Sequence, residues 1–99
     1  MKVNNINGTR ANTCKCGSWL AHWQKFSGYA LPKYCPKMMC RNNPEEGAHV
    51  QKDSATDKSW YIIPLCSTHN AEIGKSLTIS DYITLVPANV SITCEKNYF

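Results

Sequence analysis

Cys35 and Cys40 close a C-x4-C segment, Cys35-Pro36-Lys37-Met38-Met39-Cys40, and Cys66 and His69 close a C-x2-H segment directly after the apolar run Trp60 to Leu65. Three thiols and an imidazole at these spacings suit one tetrahedral zinc ion, and closed four-ligand sites of this composition are usually structural. The constraint is strong because the chain has only 99 residues. A core of that size is marginal, and a metal cross-link offsets what hydrophobic burial cannot supply. The whole chain, 1–99, reads as a single zinc-binding domain.

Compartment decides between metal and disulfides for the six cysteines. The stretch Met1 to Gly8 has no apolar run of the kind a secretion signal needs. No segment approaches the roughly 20 apolar residues that span a bilayer. A cytoplasmic, reducing location with no membrane partner is the expectation, and it favours metal. Charge is unevenly spread: residues 1–52 hold eight Lys/Arg against Glu45 and Glu46, a balance of +6, whereas residues 53–99 stand at −2. Such asymmetry is compatible with an anionic partner on the N-terminal half.

Along the chain, the Asn-rich residues 1–13 read as a loose lead-in. Ser18 can cap a helix over about Trp19 to Phe26, which Gly28 stops. Trp19, Trp23 and Phe26 recur at helical spacing, so they are expected in the core rather than on a base-stacking platform. Pro32, Pro36 and Pro44 make residues 29–46 irregular around the Cys35/Cys40 knuckle. A short strand follows at Ala48 to Gln51, a turn at Asp53 to Lys58, and a returning strand from Trp60 to Leu65. Ser67 or Thr68 then opens a second helix running through Ile73 to Gly74. A short strand or helical turn is expected around Leu77 to Val86.

Knuckle, hairpin and helix, with the second ligand pair at the helix start, resemble a treble-clef zinc finger of the HNH (ββα-metal) nuclease-like group. The resemblance covers about residues 35–75 and rests on C-x4-C, Gly47-Ala48-His49-Val50 and Pro64-Leu65-Cys66-x2-His69-Asn70. The fold it implies is α+β: a small zinc-stabilised treble clef with an additional N-terminal helix. In active members a strand histidine serves as general base and neighbouring residues hold a catalytic divalent cation. The matching positions are His49 and Asn70. Position 48, where the family places a further ligand, is Ala48 and has no ligand atom, so metal-assisted hydrolysis is short of a site.

Cys14, Cys16 and Cys94 leave three alternatives open. With His22 or His49 they could hold a second zinc; Cys16–Cys94 or Cys14–Cys94 could form a disulfide; or all three could be free thiols. The leading functional reading is a zinc-binding HNH-like module, lacking catalysis, that binds nucleic acid or a nucleic-acid-handling protein. The second is a metal-dependent endonuclease in which His49 activates water, Asn70 helps hold the cation, and Lys52 or Lys75 meets phosphate. The third is an inhibitor encoded by a phage or mobile element and acting through protein–protein contact.

Overall fold

A computed structural model of the protein describes residues 1–6, 18–54 and 56–88. Within them, five antiparallel strands form one sheet in the order β4-β1-β2-β3-β5. The strands are β1 (Lys2–Asn5), β2 (Glu46–Lys52), β3 (Tyr61–Leu65), β4 (Ser76–Thr78) and β5 (Val86–Pro87), joined by helices α1 (Trp19–Ser27) and α2 (Ser67–Asn70). This is an α+β architecture.

Strand alternation divides the core between the two faces of the sheet. Val3, Ala48, Val50, Ile63, Leu65 and Leu77 point to one face, where Cys35, Cys66 and Ile79 pack on them. Ile62 and Val86 point to the other and meet Trp23, with Trp19, Phe26 and Leu31 around it. The register agrees: Ala48 is opposite Ile63 and Val3 opposite Leu77 on the first face, and Ile62 is opposite Val86 on the second. One face therefore carries the cysteine knuckle and the other carries α1.

Helix α1 begins and ends where its sequence requires. The Ser18 hydroxyl accepts the Ala21 N–H at 3.0 Å, satisfying a donor the first turn leaves unpaired. Gly28 adopts the left-handed conformation (φ 76°), and its N–H reaches the Gln24 carbonyl. Trp23 is buried and its indole N–H donates to the Thr84 carbonyl at 2.8 Å. The aromatics of this helix are core residues, as their spacing predicts. Pro64 is tolerated in β3 because β5 pairs only as far as Tyr61 and Ile62.

Two expectations need correction. Residues 2–5 of the supposed lead-in form β1, hydrogen-bonded between β2 and β4; residues 7–13 lie outside the described part. The second helix is shorter than its sequence suggests, ending at Asn70 instead of continuing to Gly74. Buried Asn5 explains both. Its side-chain amide donates to the carbonyls of His69 (2.9 Å) and Asn70 (3.0 Å), which a continuing helix would offer to the N–H groups of Ile73 and Gly74. The Gly74 N–H turns instead to the Asn5 carbonyl. The hairpin strands extend slightly differently from expectation, β2 covering 46–52 and β3 starting at Tyr61. No helix of the described residues is long and apolar enough to cross a membrane.

Candidate metal centre

Three separate pieces of chain converge at one end of the knuckle face. Cys35 and Cys40 come from the loop before β2, Cys66 from the end of β3, and His69 from α2. Their ligand atoms all lie within 4.8 Å of one another. Cys35 Sγ is 3.8 Å from His69 Nδ1, Cys40 Sγ is 3.9 Å from Cys66 Sγ, and Cys66 Sγ is 3.1 Å from His69 Nδ1. A tetrahedral zinc with Zn–S of about 2.3 Å and Zn–N of about 2.0 Å spaces its donors about 3.5–3.8 Å apart. The donor set is therefore of the right type and close to the right size for zinc, and none of these three cysteines is in a disulfide.

The knuckle is also held by backbone hydrogen bonds. Cys35 N–H donates to the Asn42 carbonyl at 2.7 Å, and Cys40 N–H to the Lys37 carbonyl at 3.0 Å, closing a turn. Lys37 bridges to Ile79, tying the loop to the residue that follows β4. The Asn42 side-chain amide points at Cys66 Sγ (3.7 Å). His69 directs Nδ1 to the cluster and Nε2 toward the Glu72 carboxylate (3.8 Å), which is also paired with Lys75 at 3.3 Å. Such outer partners fix ring orientation in metal centres.

The thiols differ in proton affinity. Burial pushes Cys35 up to about 11, and the neighbouring Cys66 thiol adds to that. Burial acts the same way on Cys66, but the His69 backbone, the Asn42 amide and the other thiols outweigh it and leave Cys66 below its ordinary value. A divalent cation, which binds thiolate, would relieve the cost of ionising Cys35.

His49 is placed elsewhere. It lies on the α1 face of β2, 8 % exposed, with the Trp19 ring 4.7 Å away edge-on and the Trp60 ring at 6.1 Å. Asn5 and Val50, opposite one another in the register, point to the other face, and there Asn5 meets the end of α2 that contains Asn70. The sheet thus stands between His49 and α2, so the residue expected to activate water and the residue expected to help hold the cation are not brought together. Ala48 is packed in the core. Cys14, Cys16 and Cys94 lie outside the described residues, and so do the second zinc and the disulfide alternatives. His22 is buried in α1, where Nε2 donates to the Pro87 carbonyl at 2.9 Å.

Lys52 and Lys75 both have carboxylate partners, Asp57 and Glu72, each at 3.3 Å. Lys37 lies in the knuckle and Lys33 and Arg41 flank it, none with an ion pair among the described residues, and Arg41 lines an open cleft with Asn42, Asn43, Glu45, Ser67 and Thr68. The signal that would have singled them out is the absence of any Asp or Glu in residues 1–44. Compared with protein-family models, curated proteins and solved structures, the chain shows no match.

The buried histidines give a pH prediction. Burial lowers His22, with the Pro87 carbonyl pulling it back up and Lys25 pushing it further down; burial, and then His22, lowers His49. An unfolded imidazole protonates near 6.5, whereas the folded ones do so only at lower pH. Their stabilising contribution is complete above about pH 6.5 and is lost as pH falls through the folded values. The urea midpoint is expected to drop between about pH 7.5 and pH 5.5. His49→Phe should make that drop smaller. Every other acid-sensitive group is common to both proteins, so an unchanged drop in the variant would count against a neutral, buried His49.

Proposed function

We propose that this chain is a zinc-braced, treble-clef-like module of the HNH type that binds nucleic acid rather than cutting it. The observation that carries this reading is the basic knuckle: Lys37 lies on the loop that the Cys35–Cys40 ligand pair closes, and Lys33 and Arg41 flank it, in a 44-residue stretch without an acidic side chain. Tyr34 is exposed beside them, with the Lys33 ammonium 5.5 Å from its ring centre, and Tyr29 is exposed on the approach to the loop. Cations presented on a braced loop suit phosphate contacts, and exposed aromatic rings suit contact with bases.

Binding is favoured over cleavage because the elements of a hydrolytic site are separated. His49 is enclosed by Trp19 and Trp60, and Ala48 has no ligand atom. A nucleic-acid-handling protein with an acidic face would meet the same surface.

Fluorescence anisotropy with a labelled duplex tests the reading. Three phosphate contacts predict a log–log salt slope of about −2.7, or about a 40-fold loss of affinity between 50 and 200 mM salt. Lys37→Ala together with Arg41→Ala should reduce the slope by about two. Absence of binding at 50 mM salt, or binding insensitive to salt, sinks the proposal.

A further inference from the structure

The tip of the knuckle is apolar where a solvent-facing turn is ordinarily polar. Met39 is 96 % exposed and Met38 50 %. Met39 also has φ 67°, the left-handed region that glycine or asparagine ordinarily fills at the third position of such a turn. It is the one non-glycine residue with positive φ among those described. Strained, exposed residues persist where the surroundings over-determine them, and they cluster at functional positions.

The surroundings here do over-determine the tip. Cys35 and Cys40 anchor its two ends at the metal centre. Its base is pinned by the Met38 N–H on the Thr78 carbonyl (2.9 Å) and the Ser80 N–H on the Pro36 carbonyl (2.8 Å). The two methionines therefore stand exposed on a turn held at both ends, with Lys37 immediately before them and Arg41 immediately after Cys40. An apolar point between two cations fits a partner that offers an apolar slot bordered by anions. The minor groove of a DNA duplex is about 6 Å wide, has phosphates along both rims, and opens at base steps to inserted apolar side chains, methionine among them.

Resting on the nucleic-acid reading above, we infer that Met38 and Met39 form a wedge that enters the minor groove of duplex DNA and parts a base step, while Lys37 and Arg41 hold the flanking phosphates. Pyrimidine–purine steps, which unstack most readily, are the preferred positions. Methionine carries no charge, so the wedge contributes to affinity without contributing to the salt slope. This separates it from the phosphate contacts.

The test uses the zinc-loaded protein and a duplex of about 20 base pairs with 2-aminopurine at its pyrimidine–purine steps. Wild type should raise the 2-aminopurine fluorescence on binding, as the probe loses its stacking partner. The variant M38A/M39G should abolish that rise and bind about tenfold more weakly with an unchanged salt slope. Glycine at position 39 suits the left-handed backbone, so a melting temperature at or above wild type confirms that the variant is folded. Salt-dependent binding by wild type with no fluorescence rise overturns the wedge and leaves the nucleic-acid reading standing. Failure of wild type to bind the duplex at 50 mM salt overturns both. Methionine-dependent retention on phosphatidylserine vesicles without a DNA response assigns the tip to a membrane surface and overturns the wedge.

Discussion

Removing zinc with a strong chelator under reducing conditions should unfold the protein, and Cys66→Ser should have nearly the same effect. Apparent zinc-binding free energies of structural sites are on the order of 10 kcal/mol, comparable with the whole stability of a domain this size. Cys66 is the most informative ligand to change because its sulfur meets Cys40, His69 and Asn42 at once. It is also buried in the knuckle-face core, so its loss disturbs packing as well as coordination. Near-UV circular dichroism and metal analysis measure the two consequences together. Protein purified without chelator should contain at least one zinc per chain. A metal content near zero, or a spectrum that chelation leaves unchanged, would contradict a structural centre.

Gly47→Ala should be nearly as damaging, although it adds only one methyl group. A Cβ at this position would run into the Trp19 backbone carbonyl carbon, with Leu20 N at 2.6 Å and Trp19 Cβ at 2.7 Å. The first two are backbone atoms at the start of α1, which cannot rotate away. The helix would have to lift from β2, loosening the packing of Trp19 on His49 and of Trp23 on Ile62. A loss of about 3 kcal/mol or more is expected, at the upper end for overpacking. Gly28→Ala provides the control: nothing lies within 4 Å of a Cβ there, and only the left-handed backbone resists, at about 1 kcal/mol. Urea denaturation of the two variants ranks them. A smaller loss for Gly47→Ala than for Gly28→Ala would mean that α1 does not approach the sheet so closely.

Local chemistry made part of this fold legible and left part hidden. Helix α1 could be read because its cap, apolar spacing and terminating glycine all act within a dozen residues. The ligand set could be read because two short spacings fix two pairs of donors, whichever way the chain between them runs. Strand β1 could not be read: Lys2-Val3-Asn4-Asn5 has one apolar side chain, and its place in the sheet depends on partners at residues 50–52 and 76–78. The length of α2 was hidden for the same reason, since the group that takes its last carbonyls is Asn5, far away in sequence. His49 looked like a general base because strand position alone does not reveal which face holds the second helix. The basic knuckle was understated because counting charges over a half-chain blurs an acid-free stretch into an ordinary surplus. Lys52 and Lys75 stood out in sequence, but their carboxylate partners are set by the hairpin turn and by the turn after α2.

The position of β1 between β2 and β4 also orders the events of folding. Val3 must find Lys52 on one side and Leu77 on the other, so the two pairings of β1 are the least local in the sheet. Pairings across such long loops are slow, because closure entropy is lost before the contacts that compensate it can form. The metal ligands span a shorter stretch, from Cys35 to His69, and β2 and β3 lie inside it. An ion captured there would draw the hairpin and the first turn of α2 together early. It would thereby prepare the edge on which β1 later settles. A metal ion bound in this topology would set a sequence in time as well as a shape: the hairpin would come first, and β1 would be among the last strands to be seated.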